Sequence, residues 1–402
     1  VFKTLRHAGY EVRYDAFEDP IFRELSPTRL DVQGLSGPRL RDDIDYRAML
    51  YSASGRVTAP LLPLDFDVDG TGRDGPGCEP STFDGMPKGQ IVLLRPGPCF
   101  TRDQVVAAAD AGAAAVLLAY PEFTPRLGLR RPTLLSPEGI GVPAIALTDD
   151  AGRRLAAAGE GATVSLEVRA ETPVRKLRNV IAQTSEGDPL NVVIAGGHLD
   201  SVIDGPGIND NGSGVATLLE VAEELAASDP QNKVRFAFWA GEEYGLLGSR
   251  HYVDALSPLQ IEDIAVYLNF DMLGSPNHVP FVYDNSGAPE GSDAVTDVFM
   301  EYLASTEEPG EPFDLTGRSD HFAFEQAGVR VGGLFSGAEE LKTEEQASDY
   351  GGEGGEPLDA CYHQACDDID NIDVRALELL ARAAADAIGA LATDSGRVLG
   401  AD

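Results

Sequence analysis

Positive charge is the first shortage of this chain: 31 Lys and Arg face 66 Asp and Glu, a formal net charge of −35. Nucleic-acid binding needs clustered cations against phosphate, so nucleic acid is excluded as a partner. The acid excess reads first as a solubilising surface, with a weak pull on the protonated amino termini of peptides. Long apolar runs are lacking as well. None approaches the ~20 residues of a membrane-spanning helix, and no secretory leader is recognisable. Residues 1–9 read as the end of an amphipathic helix closed by Gly9, so further residues are expected to have preceded them in a precursor.

Histidine numbers only six, and residues 45–168 contain none. That segment is therefore expected to carry no metal or imidazole chemistry. Cysteine is limited to Cys78, Cys99, Cys361 and Cys366. Four cysteines allow three pairings; the local one, Cys78–Cys99 with Cys361–Cys366, is the simplest. Two disulfides imply an oxidising compartment and hence a secreted protein. The rival is a zinc knuckle from Cys361, His363 and Cys366, weakened because no second ligand pair sits at knuckle spacing.

At 402 residues the chain exceeds one ordinary core and divides into roughly two domains. Residues 10–17 read as a strand followed by loop. From about 45 to 168, short apolar runs at 46–50, 90–94, 115–118 and 143–147 alternate with Gly and Pro clusters, around an alanine-rich helix at 101–112. From Leu177 onward, strands near 179–183, 191–195, 234–239, 265–270 and 331–335 alternate with helical stretches near 214–227, 243–255, 293–304 and 319–327, and a helix near 374–391 closes the chain. That alternation predicts an α/β fold, with a mixed, mainly parallel sheet flanked by helices. The expected division is one discontinuous domain, 1–44 with 169–402, interrupted by a small β-rich insert, 45–168.

The chemistry gathers where strands end. The run 191–195 stops at Gly196-Gly197, and His198 follows, with Asp200 two residues on and Asp210 in a glycine-rich turn. Residues 234–239 end in Gly241-Glu242-Glu243, and 265–270 end in Asp271. Singly, each is weak: a lone His is commonly structural, and an acidic pair suits any helix start. Three parallel strands ending this way place the groups along one sheet edge, where open α/β sheets bind ligands. His363, between Cys361 and Cys366, completes a set of imidazoles and carboxylates without thiolate, which suits zinc, with cobalt or manganese as substitutes. Two divalent ions would balance Asp210, Glu243, Asp271 and a hydroxide.

Six ordered blocks carry a resemblance: His198-Leu-Asp-Ser201, Gly207-Ile-Asn-Asp-Asn-Gly-Ser-Gly214, Gly241-Glu-Glu-Tyr-Gly-Leu-Leu-Gly-Ser249, Asn269-Phe-Asp-Met-Leu-Gly-Ser275, Gly317-Arg-Ser-Asp-His321 and Cys361-Tyr-His363. Over about 1–40 and 170–402 the chain resembles the di-zinc aminopeptidases of peptidase clan MH, of the secreted Streptomyces type. The insert resembles a protease-associated (PA) domain, through Gly89-Gln-Ile-Val-Leu-Leu-Arg95, Cys99-Phe100, Ala108-Ala-Asp-Ala-Gly112-Ala-Ala-Ala-Val116 and Gly141-Val-Pro-Ala-Ile-Ala146. Such inserts shape access to the site in related peptidases. The resemblance implies the zinc-peptidase (phosphorylase/hydrolase-like) fold and two zinc ions bridged by Asp210, one completed by His198 and Asp271, the other by Glu243 and His363. It also implies Glu242 as the general base that deprotonates the bridging water, Tyr362 as oxyanion donor, and Asp200 as the group orienting His198. Arg318, through its main-chain carbonyl, would hold the substrate amine with Glu242 and Asp271. A cis peptide bond is implied between Asp210 and Asn211.

The implied substrate is the amino terminus of a peptide, with large apolar residues such as leucine preferred, and Met272 and Phe335 as candidate pocket walls. The chain is expected to be monomeric. Ser319, Asp320 and His321 are not expected to form a triad, since neighbours in sequence rarely converge in space; His321 is expected to be structural, as are His251 and His278. A carboxypeptidase or dipeptidase would need a cationic patch that the motifs lack. A glutaminyl cyclase fits the Glu242-Glu243 and Tyr362-His363 pairs less well. A catalytically dead binding protein would be expected to lack a ligand or Glu242, and none is missing.

Overall fold

The computed structural model describes residues 1–64, 75–121, 123, 128–285, 287–314 and 317–400. It divides into two compact units, Val1–Glu18 with Lys176–Asp402, and Asp19–Arg175.

The first unit is built on an eight-stranded sheet. In spatial order its strands are Glu11–Pro20, Val174–Gln183, Asn232–Trp239, Asp188–His198, Ile264–Phe270, Val331–Phe335, Phe281–Tyr283 and Glu311–Phe313. Asp188–His198 runs parallel to both its neighbours, and Ile264–Phe270 is parallel to Val331–Phe335. Antiparallel strands flank this centre. The central strands are continuous apolar runs because both faces are covered. Phe236, Phe238, Val266 and Leu268 pack with helices Gly214–Leu225, Ser292–Leu303 and Val374–Thr393 on one face. Ile194, Trp239 and Tyr267 pack with Leu247–Asp254 and His321–Gln326 on the other. In register, His198 lies opposite Trp239, and Gly196 opposite Asn269, so the three central strands end together. Gly196 is required there: a Cβ would fall 2.6 Å from the Tyr267 hydroxyl and 2.7 Å from the Trp239 indole nitrogen.

In the second unit, Gly55–Pro63, Ile91–Leu94, Ala115–Tyr120 and Ala144–Thr148 form a parallel group. It continues antiparallel through Thr163–Glu171 to Arg23–Val32, with Tyr46–Ala48 at the other edge. Helices Thr101–Asp110 and Asp149–Ala158 pack on it. Residues 23–32, expected as loop, form a ten-residue strand bonded to Thr163–Glu171, and the compact units accordingly divide at 18/19 and 175/176 rather than at 44/45 and 168/169. Cys78 pairs with Cys99 and Cys361 with Cys366. Both thiol groups of the rival zinc knuckle are thereby consumed.

Candidate metal centre

Five predicted side chains meet at the carboxyl edge of the central strands. His198 is the last residue of its strand, Asp271 follows Phe270 directly, and Glu243 lies in the turn after Trp239. Asp210 arrives on the segment between His198 and the helix Gly214–Leu225, and His363 on the disulfide-closed loop. The His198 Nε2 is 3.1 Å from Asp210 Oδ1 and 3.1 Å from Asp271 Oδ1. The His363 Nε2 is 3.1 Å from Asp210 Oδ2 and 3.1 Å from Glu243 Oε2. Asp210 thus gives one oxygen to each of two trios, His198–Asp210–Asp271 and Asp210–Glu243–His363.

The donor set fits a pair of divalent cations. One N–H cannot point at two acceptors at once, yet each imidazole faces two carboxylate oxygens. Spacings of this size approach the edge of a tetrahedron whose metal–ligand bonds are ~2.0–2.1 Å, roughly 3.3–3.4 Å. The Glu243 Oε1 is buried without a hydrogen-bond partner. Among the described residues, the only cationic side chains paired with Asp210, Glu243 and Asp271 are the two imidazoles. The electrostatics carry the same mark. Burial pushes Glu243 up to about 7, with His363 opposing. Burial would lower His363, but Glu243 and Asp210 outweigh it and raise it to about 10. Asp210 is held below the usual carboxylate range: burial acts upward, but hydrogen bonds from both imidazoles prevail. Such a cluster is stabilised in water only by protons or by metal.

The surroundings orient these groups. His198 Nδ1 lies 3.0 Å from the main-chain oxygen of Asp200. A carbonyl oxygen only accepts, so Nδ1 carries the proton and Nε2 keeps its lone pair in the neutral ring. The family resemblance implies Asp200 for this role, and the group that faces the ring is its main-chain oxygen rather than its carboxylate. That carboxylate instead accepts the main-chain N–H groups of Gly241, Glu242 and Glu243 at 2.7, 3.1 and 3.3 Å, setting the acidic turn. The Ser319 hydroxyl donates to Asp271 Oδ2 at 2.6 Å and accepts from Asn269, whose carbonyl takes the Tyr267 hydroxyl, itself the acceptor of the Trp239 indole N–H. This buried chain delivers every donor toward Asp271. Met272 and His363 sit at φ of 55° and 58°, left-handed positions that cost a non-glycine residue about 1–3 kcal/mol. Asn211 Oδ1 and Ser336 hold the Met272 main chain in place. The Asp210–Asn211 peptide is cis.

Glu242 stands beside His198 and Glu243. Burial first, then Glu243, Asp271 and Asp320, raise its carboxyl well above the usual range against the pull of His198. The Tyr362 ring stacks on His363 with centroids 3.8 Å apart, and burial keeps its phenol protonated even though Arg318 acts the other way. The Arg318 guanidinium is bound by Glu339 at 2.9 and 3.0 Å and by Glu340 at 3.2 Å. Ser319, Asp320 and His321 point to different partners and form no triad. Asp320 is buried beside Ser249, and His321 packs edge-on to Tyr283, burial lowering it to about 4. His278 bonds Glu308 at 2.9 Å, and His251 stacks on Phe17. Sequence reasoning missed Ser319, whose hydroxyl bonds Asp271, and Asn209, Asp359 and Asp367, which hydrogen-bond among the segments carrying Asp210 and His363. In so acidic a chain, nothing in the sequence separates those two aspartates from the rest.

The sequence model of peptidase family M28 matches residues 179–388, and that of the PA domain matches residues 57–155. An aminopeptidase of Pseudomonas aeruginosa is 40% identical over 388 residues, spanning 94% of this chain and 72% of that protein. Leucine aminopeptidase 2 of Trichophyton rubrum is 39% identical over 355 residues, spanning 86% of this chain and 69% of that protein. Among solved structures, a zinc aminopeptidase from Bacillus subtilis superposes with a TM-score of 0.68 at 26% identity, covering 96% of this chain and 86% of that one.

Proposed function

This chain is a metal-dependent aminopeptidase of peptidase family M28 with a PA domain, and from that membership we propose that it releases large apolar amino-terminal residues, leucine foremost, using two zinc ions. The observation that carries the reading is the sharing of Asp210 between two imidazole–carboxylate trios. His198 and Asp271 would hold one ion with Asp210, and Glu243 and His363 the other; cobalt or manganese would substitute. A zinc pair supplies Lewis acidity toward a carbonyl and makes water nucleophilic near neutral pH.

The chain's own residues do the rest. Glu242, not needed as a ligand, takes the proton of the attacking water and returns it to the leaving amine; its raised carboxyl suits that shuttle. Tyr362, kept protonated by burial, donates to the developing oxyanion. The carboxylates of Glu242 and Asp271, with the main-chain carbonyl of Arg318, receive the free amino group; the Arg318 side chain is already engaged by Glu339 and Glu340. The leucine preference is supported by the relative of that name and by the apolar cluster next to Asp271, in which Met272, Phe281 and Phe335 pack with Phe313 and Tyr362.

We read the protein as secreted and monomeric. The two disulfides support an oxidising compartment, and among the described residues no helix is long and apolar enough to cross a membrane.

Leucine p-nitroanilide assayed beside its N-acetylated form tests the reading. Turnover of the free amine alone is expected. Equal turnover of the blocked substrate would remove the amine-binding role, and no turnover of either by zinc-loaded protein would end the proposal. Tyr362→Phe is expected to lower kcat by about 10²–10³ with KM little changed, as when one oxyanion donor is lost. A KM effect alone would place Tyr362 in substrate binding instead.

A further inference from the structure

The loop bearing His363 is closed by a disulfide, but the disulfide does not connect it to Asp210. That connection is made by the residues just outside the cysteines. Asp367, 2% exposed, receives the main-chain N–H of Asn209 on Oδ1 at 2.9 Å and that of Asp210 on Oδ2 at 3.1 Å, while its own main-chain oxygen takes the N–H of Ile208 at 3.1 Å. Three successive amides of the segment carrying Asp210 thus end on one residue of the segment carrying His363. On the other side of the disulfide, Asp359 is fully buried. It accepts from the Asn209 side chain at 2.7 Å and from the main-chain N–H of Cys361 at 2.8 Å. Asn371 donates to both aspartates and fixes their carboxylates relative to each other. Asn209 completes the connection: its carbonyl accepts from Gly274 N–H, and its amide also donates to Ser275, three and four residues past Asp271.

We propose that Asp367 is a positioning residue for the metal centre, a two-oxygen clamp on the Asn209–Asp210 main chain that holds the Asp210 and His363 side chains at the mutual approach one metal ion requires. This rests on the reading of those two residues as ligands of the same ion. The disulfide keeps the loop short; the Asp367 carboxylate sets where it sits. An amide cannot do the same, because its NH₂ would face one of the two N–H donors. One main-chain amide would then be buried without an acceptor, and the segment would move to relieve it.

The test is zinc binding by the full chain, measured by equilibrium dialysis and read against the metal-free protein's circular dichroism and Tm. The wild type should take up two zinc ions. Asp367→Asn should bind the ion held with Glu243 and His363 about 10–100-fold more weakly, the range for residues supporting metal ligands, and the ion held with His198 and Asp271, which shares only Asp210 with it, with a clearly smaller loss. Raising free zinc should restore kcat at unchanged KM. In a His363→Ala background, where that same ion is already weakened, Asp367→Asn should add little, the non-additivity expected of residues acting on one site. Asn371→Ala leaves the clamp's oxygens in place and should show the same asymmetry at smaller size; it decides the matter if Asp367→Asn does not fold. Unchanged affinity for both ions, an equal loss at both, or a lowered metal-free Tm with normal zinc binding would overturn the proposal. Fewer than two zinc ions on the wild type would overturn the reading beneath it, a result distinguishable from the others before any variant is made.

Discussion

Glu242→Gln is expected to lower kcat by about 10²–10⁴, the contribution of a placed general acid–base group, while zinc content and Tm stay near wild type. The substitution keeps the shape of the side chain and removes only its ability to accept a proton. The main chain at this position is independently secured: the Glu242 N–H is bound to Asp200 at 3.1 Å, and its carbonyl accepts from Gly245 and Leu246, each at 2.8 Å. Burial and the neighbouring acids outweigh the attraction of His198 for the charged carboxylate. Folding in fact works against its charge, since burial and the neighbouring acids raise the group well above its ordinary range, so neutralising it should not destabilise the protein. Steady-state kinetics with parallel metal analysis make the check. A variant within a few-fold of wild-type kcat, with both ions present, would remove Glu242 from proton transfer. Loss of zinc together with activity would make it a ligand instead.

The meeting of the candidate ligands was legible because the groups lie at discontinuities of pattern: His198, Glu242-Glu243 and Asp271 each come after an apolar run that ends abruptly, and parallel strands that end together must place the next residues of each on one edge. Asp210 and His363 carry no such signal and became readable through the motif blocks around them. What stayed hidden was hydrogen bonding to the main chain. The Asp200 carboxylate sets the 241–243 turn, while its carbonyl orients His198, and a side-chain pattern does not distinguish the two roles. Asp359 and Asp367 act on main-chain and amide groups 150 or more residues away, a separation at which spacing carries no information. The missed strand Arg23–Val32 has only Thr28 and Leu30 buried and holds Pro27. Burial alternates along it, but the inward positions include Glu24, Ser26 and Thr28 while Leu25 faces out, so the residue types show no alternation, and an internal proline argues against assigning a strand. Its place was decided by pairing with Thr163–Glu171, a tertiary effect.

Removal of zinc is expected to abolish turnover completely, with recovery on adding zinc back, and to lower Tm. With free zinc at roughly 100–1,000 times its dissociation constant, binding to the folded chain alone contributes on the order of 3–4 kcal/mol, or roughly 6–16 °C for a domain of this size. The metal-free protein must instead hold its cluster together with protons, and this makes the difference depend on pH. His363, ordinarily near 6.5, is raised to about 10 by Glu243 and Asp210 against the effect of burial. Its contribution to the metal-free fold is fully present below about pH 6.5 and is lost as pH rises through about 10. Glu243 is raised by burial to about 7, so its contribution too is lost with rising pH, earlier in the same direction. Zinc displaces those protons, and the loaded protein does not depend on them. The Tm gap between zinc-loaded and metal-free protein should therefore widen from pH 6 to pH 9. Calorimetry across that range, on both forms, decides it: a gap that stays constant would mean that His363 and Glu243 do not hold those protons in the metal-free state, and a gap that narrows would reverse the sign of the linkage at His363.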